Sequence, residues 1–210
     1  MAKVQELEEF ENKQKRKPLF ISRVFAYLID SILVLLLASL LSSPFINSDH
    51  MISLAKESSN ILEKYQSQEI SEKEYNVEIS NLEYLMAKDT LLVNILYILV
   101  GVAYFVVYPL YRNGQTLGKK LFKMKIISSV GNLDTNQMIF RSFLANSILY
   151  KLITIIFIMF SSRDVYSLCI NWFSYAQYIF IIVSIFMVVY GKEGLSIHDR
   201  IVHTKVVKVD

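Results

Sequence analysis

The sequence predicts an all-α membrane protein with four transmembrane helices, an extracytoplasmic helical hairpin and a small cytoplasmic β element. Three observations carry that prediction. Apolar residues make up 53% of the 210 and the mean hydropathy is +0.38, above the composition of an ordinary soluble domain. They are bunched into four runs, each close to the ~20 residues a helix needs to cross the hydrocarbon layer. Lysine and arginine collect in alternate connections between those runs, as cytoplasmic segments do.

Residues 1–23 form a basic N-terminal segment holding six Lys/Arg, in which residues 5–12 have the composition of a short helix. The first span is read at residues 24–45. A signal peptide is disfavoured because its charged leader would be 23 residues long and its core would contain Asp30. Residues 46–90 come next, and within them positions 47–89 carry four Lys against nine Asp/Glu. Apolar residues there recur three and four apart, as at Val77, Ile79, Leu82 and Leu85, which predicts a solvated acidic helical hairpin.

The second span is residues 91–110. Residues 111–141 hold six Lys/Arg from Arg112 onward and alternate charged and apolar side chains through Lys123, Met124, Lys125 and Ile126 before the turn signal Gly131-Asn132. That pattern predicts a β-hairpin within residues 121–135, and the β-prone tail Ile201 to Val209 is expected to pair with it. Lys119, Lys120, Lys123 and Lys125 are expected to lie against anionic headgroups. The third and fourth spans are residues 142–160 and 172–190, joined by a short outer connection at 161–171, and residues 191–210 form a tail with four Lys/Arg. Both termini are thus expected in the cytoplasm, the chain sitting in the cell membrane.

The same composition narrows the function classes. Three His and the single Cys169 make no metal-ligand cluster and no disulfide, and no nucleophile, base and oxyanion-hole set is visible. No enzyme activity, cofactor or metal is expected. A net charge of +3, dispersed among loops, gives no nucleic-acid footprint. Gly114 and Gly118 in NGQTLGK lack the spacing of a phosphate loop and read as a turn leaving the second span. His198 beside Asp199 invites an acid/base reading, but adjacent side chains rarely face each other, and a cap or an ion-pair role for Asp199 is preferred.

An ionisable group inside the apolar layer costs roughly 2.5–3.5 kcal/mol on insertion scales, so each one needs a reason. Arg23 and Asp30 are seven residues apart, nearly two helical turns and ~10 Å along one face. Arg23 is expected at the cytoplasmic interface, with Asp199 as a candidate partner. Asp30 and Lys151 fall at similar depth, ~12–14 Å from the ends of the first and third spans, which suggests an intramembrane ion pair; snorkelling of Lys151 is the alternative. Asn94, Asn146, Asn171 and Gln177 are either oxygen ligands or, more commonly, interhelical hydrogen-bond partners.

The segments SRVFAYLID with Arg23 and Asp30, NGQTLGKKLFKMKII, IFRSFL with Arg141, and LSIHDRIVHTKVV with Asp199 together resemble the RDD family of bacterial membrane proteins. That family is named for one arginine and two aspartates, which the resemblance places at Arg23, Asp30 and Asp199. It covers the first span and the chain from about Asn113 onward, leaving the 46–90 insertion and Lys151 outside. What it implies is a candidate transporter, some members having been linked to sodium/proton exchange. Two readings stay open. In one, Asp30 carries a proton or monovalent cation, gated by Arg23 and Asp199 and helped by a homodimeric arrangement. In the other, Arg23, Asp30, Arg141, Lys151 and Asp199 are structural in a non-catalytic partner or assembly factor, embedded in the lipid bilayer and contacting another protein.

Overall fold

The computed structural model describes residues 17–209, so the helix expected at residues 5–12 lies outside the described residues. Helix α1, Phe20–Ser42, continues through a tight turn at Ser43–Phe45. Its buried positions are Ala26, Asp30, Val34, Ala38 and Ser42, one residue in four, and every neutral member of that stripe is small. Small side chains let neighbouring helices approach closely, and α1 packs mainly on the second span and on a short helix after it. Most leucines on its other faces, such as Leu35, Leu36 and Leu40, stay exposed, as lipid-facing side chains are.

Helices α2, Ser48–Gln66, and α3, Glu72–Asp89, form the expected acidic hairpin. Asn47 caps the first, and a reciprocal Ser71–Glu74 capping box starts the second. Leu54, Ile61 and Leu82 make its own small core. Helix α4 is the second span, Leu91–Tyr111, with a wider π-helical turn at Ala103–Val107. After it come the five-residue helix α5, Leu117–Leu121, and strand β1, Met124–Ser128.

Three expectations need correction here. Residues 121–135 do not form a hairpin: β1 pairs antiparallel with the tail strand β2, Thr204–Lys208, placing Met124 opposite Lys208 and Ser128 opposite Thr204. The chain after β1 turns instead into α6, Thr135–Ala145, opened by an Asp134–Gln137 capping box. The third apolar run is not one straight helix. Helix α7, Ile148–Phe160, leaves α6 at 71°, with Ser147 in the left-handed region at φ 57°. Finally, the outer connection at 161–171 shrinks almost to nothing because α8 runs unbroken over Arg163–Tyr190. A short helix α9, Ile197–Ile201, leads into β2.

Three helices are long and apolar enough to span a bilayer, or four if α6 and α7 count as one broken span. At one end of the bundle sit α2 and α3, with α3 held to the start of α8 by Tyr84 against Tyr166 and Ser80 against Ser167. At the other, α5, α6, α9 and the two-stranded sheet form a cap whose core is Ala26, Val106, Met124, Ile126, Met138 and Val206.

Candidate functional site

The charged residues singled out from sequence gather where this cap meets the spans, in two neighbouring clusters. The first is built on Asp30, which α1 delivers fully buried. The Tyr104 hydroxyl, carried inward on the π-helical turn of α4, donates to Oδ1 at 2.5 Å, and the Gly118 N–H donates to the same oxygen at 2.7 Å. Oδ2 accepts from the Thr116 hydroxyl at 2.5 Å, with Lys119 Nζ at 3.7 Å.

All of these but Tyr104 belong to one structural unit, the N-cap and first turn of α5. Leu117 N–H donates to the Tyr104 hydroxyl, Gly118 N–H to Asp30, and Lys119 N–H to the Thr116 hydroxyl. Three of the four N-terminal amides that a helix leaves without a partner are thereby satisfied, with a carboxylate at the positive end of the helix. Gly118 makes this approach feasible: a Cβ there would collide with the Ala26 carbonyl and lie 2.9 Å from the Asp30 carboxyl. Burial in the apolar layer costs Asp30 roughly 2.5–3.5 kcal/mol. Hydrogen bonds to a charged group contribute roughly 1.5–3 kcal/mol each, so three of them outweigh that cost without an intramembrane lysine.

The second cluster is centred on Asp199. Its Oδ1 accepts from Arg141 of α6, and its Oδ2 accepts from the Ser196 hydroxyl at 2.7 Å and the Ser196 N–H at 3.2 Å. Ser196 and Asp199 form the capping box of α9, and Arg141 also donates to Thr204 of β2 at 2.7 Å. The ion pair thus ties α6, α9 and the sheet together. Burial would push the Asp199 carboxyl up, but the Arg141 guanidinium beside it prevails and holds it well below the usual carboxylate range. Burial and the neighbouring Arg141 push His198 down to about 3, so this imidazole, hydrogen-bonded to Ser196 at 2.8 Å, is neutral.

Arg23 reaches the cap but finds no carboxylate partner in Asp199, which is engaged by Arg141. It donates instead to two backbone carbonyls, Gly194 at 2.8 Å and Val206 at 3.3 Å. Lys151 is likewise apart from Asp30. It donates to Asn94 of α4 at 3.0 Å and lies 4.5 Å from the centre of the Tyr97 ring. The depth arithmetic assumed a straight third span, and the break at Ser147 restarts the helix only four residues before Lys151. Of the polar amides, Gln177 donates to Ser147 at 2.5 Å and secures that break.

Tyr104, Thr116, Gly118 and Lys119 were not marked by the sequence reading as contacts of Asp30. The signal available was TLGKK, a threonine cap opening a helix whose second residue is glycine. The RDD family model matches residues 17–203, a range that includes both clusters. The chain belongs to the RDD family. Neither a curated protein nor a solved structure matches it. In this RDD protein the arginine and two aspartates suggested by the resemblance occupy one end of the bundle, each bound to a different partner set. Asp30 anchors α5, Asp199 anchors α6 and α9, and Arg23 anchors the backbone at Gly194 and Val206. Among the described residues no group of three or more His, Cys, Asp or Glu is arranged to hold a metal.

Proposed function

We propose that this RDD protein is a multi-pass protein of the cell membrane that acts by contact, as a membrane partner or assembly factor, with its Arg and Asp residues serving as latches for a cytoplasmic cap. On this reading it catalyses no reaction and needs no cofactor. The observation that carries it is the engagement of both Asp30 oxygens by groups of the protein itself at 2.5–2.7 Å, with the Lys119 ammonium 3.7 Å from Oδ2, so that a sodium ion would have to displace them. A carboxylate that terminates a helix and joins two spans has a structural use that requires no titration.

Sidedness follows from charge. The end bearing α5, α6 and the sheet carries the basic segments and faces the cytoplasm, while the acidic α2–α3 hairpin lies outside. Helix α6 buries Met138, Arg141 and Ser142 on one stripe and exposes Phe140, as suits a helix lying in the interface plane.

One observation favours cation/proton exchange as the second reading. Burial pushes the Lys119 ammonium down to about 8, against the opposing pull of Asp30, so a proton-labile amine stands beside the intramembrane carboxylate. Proton movement in proteoliposomes on addition of sodium, lithium or potassium separates the two. The latch reading expects none from wild type, and a lower thermal midpoint and lower abundance for Asp30→Asn, because an amide N–H₂ would face groups that already donate. Cation-driven proton movement by wild type, lost in an Asp30→Asn protein of unchanged stability and oligomeric state, would sink it.

A further inference from the structure

A cavity of about 350 Å³ lies between α1 and α8, beside both latches. Its outer wall is apolar, with Val24 and Tyr27 on α1 facing Phe180, Ile181 and Ile185 on α8. Tyr27, Ile181 and Ile185 are each more than 40% exposed, so it opens sideways toward the lipid-facing surface. Its inner end is cationic. Arg23, Lys119 and Arg141 line it, and two of these three have a carboxylate: Lys119 has Asp30, and Arg141 has Asp199. The neutral His198 adds no charge. Arg23 has only carbonyl acceptors, and among the described residues its Nε has no hydrogen-bond partner.

The second such atom among the described residues is Ser184 Oγ, on the opposite wall of the same cavity. A hydroxyl in an apolar helix ordinarily bonds the carbonyl one turn back, and a buried donor left free is costly. Both orphan donors and one uncompensated positive charge therefore meet in a space whose remaining wall is hydrocarbon. We propose that this cavity binds one anionic phospholipid, its phosphodiester received by Arg23, an ester carbonyl by Ser184, and an acyl chain lying between α1 and α8. A single negative charge balances the one cation left over, and Arg23, in the first turn of its span, stands at headgroup level. Basic pockets between spans on the cytoplasmic side hold such headgroups by this chemistry.

This inference is independent of whether the protein acts as a scaffold or an exchanger. The test is native mass spectrometry of the purified full chain in detergent, titrated with phosphatidylglycerol or phosphatidylcholine of the same acyl chains, with inorganic phosphate as competitor. One phosphatidylglycerol is expected per chain, preferred over phosphatidylcholine by at least about fivefold, the factor implied by one added basic contact. Arg23→Gln removes the preference. Ile185→Trp, which fills the apolar arm and touches neither latch, reduces binding of both lipids. Equal binding of the two lipids by wild type, undiminished binding by Ile185→Trp, or displacement by millimolar phosphate alone would overturn the proposal.

Discussion

Asp30 ties α4 and α5 to α1 through two oxygens, and the smallest residue among its partners controls how close they come. At Gly118 an added methyl would meet the Ala26 carbonyl and the Asp30 carboxyl, so Gly118→Ala must push α5 away from α1. Overpacking of this kind costs about 1–3 kcal/mol. Gly101→Ala is the matched comparison, since its methyl would meet Ile148 at an ordinary 3.5 Å. Thermal unfolding in detergent should show a clear drop for the first and little change for the second; equal losses would remove Gly118 from the account. The residues that cost something in the apolar layer, Arg23, Asp30 and Lys151, were legible because charge stands out against hydrocarbon. Their partners were not. Tyr104 reads in sequence as one more interfacial aromatic and Thr116 as a turn residue, and Lys119 is indistinguishable from its neighbours in a basic stripe. Only the fold separates the lysine that turns inward from those that stay outside.

At the level of elements, hydrophobic periodicity and length located the spans of α1 and α4 and both arms of the α2–α3 hairpin. What escaped it has a physical cause in each case. Apolar residues dominate from Leu144 to Phe160 despite Asn146, Ser147 and Lys151, so a hydropathy window runs across the bend between α6 and α7; the local mark was Asn146-Ser147, two poor helix formers of which the second adopts φ 57°. The start of α8 was placed late because Arg163 and Asp164 look like loop residues, whereas they occupy the first turn of a helix held against the α3 arm, with Arg163 donating to Asn81. The β-hairpin failed because alternation identifies a strand and says nothing of its partner. β1 had two candidates, the segment after Gly131 and the tail, and the tail prevails because α9 delivers it beside β1 while Gln137 of α6 donates to its backbone at Val202.

For the whole molecule, the two ends of the bundle differ in charge and in construction, and this asymmetry makes its orientation testable. In a Cys169→Ser background, a membrane-impermeant maleimide should label Ser67→Cys, exposed at the hairpin turn, in intact cells. It should label Ser129→Cys, exposed after β1, only after lysis. The reverse pattern would invert the topology and place the latches on the outer side. The central claim is that the Asp30 carboxylate and the N-terminal turn of α5 form one cooperative unit joining the spans to the cap that carries the sheet. A double-mutant cycle on global unfolding in detergent, with Asp30→Asn, Thr116→Val and the pair, measures that most directly. A coupling energy of about 1–2 kcal/mol, within the range for residues sharing a hydrogen-bond network, is the expected result. Additivity to within about 0.3–0.5 kcal/mol, as for independent sites, would contradict the latch.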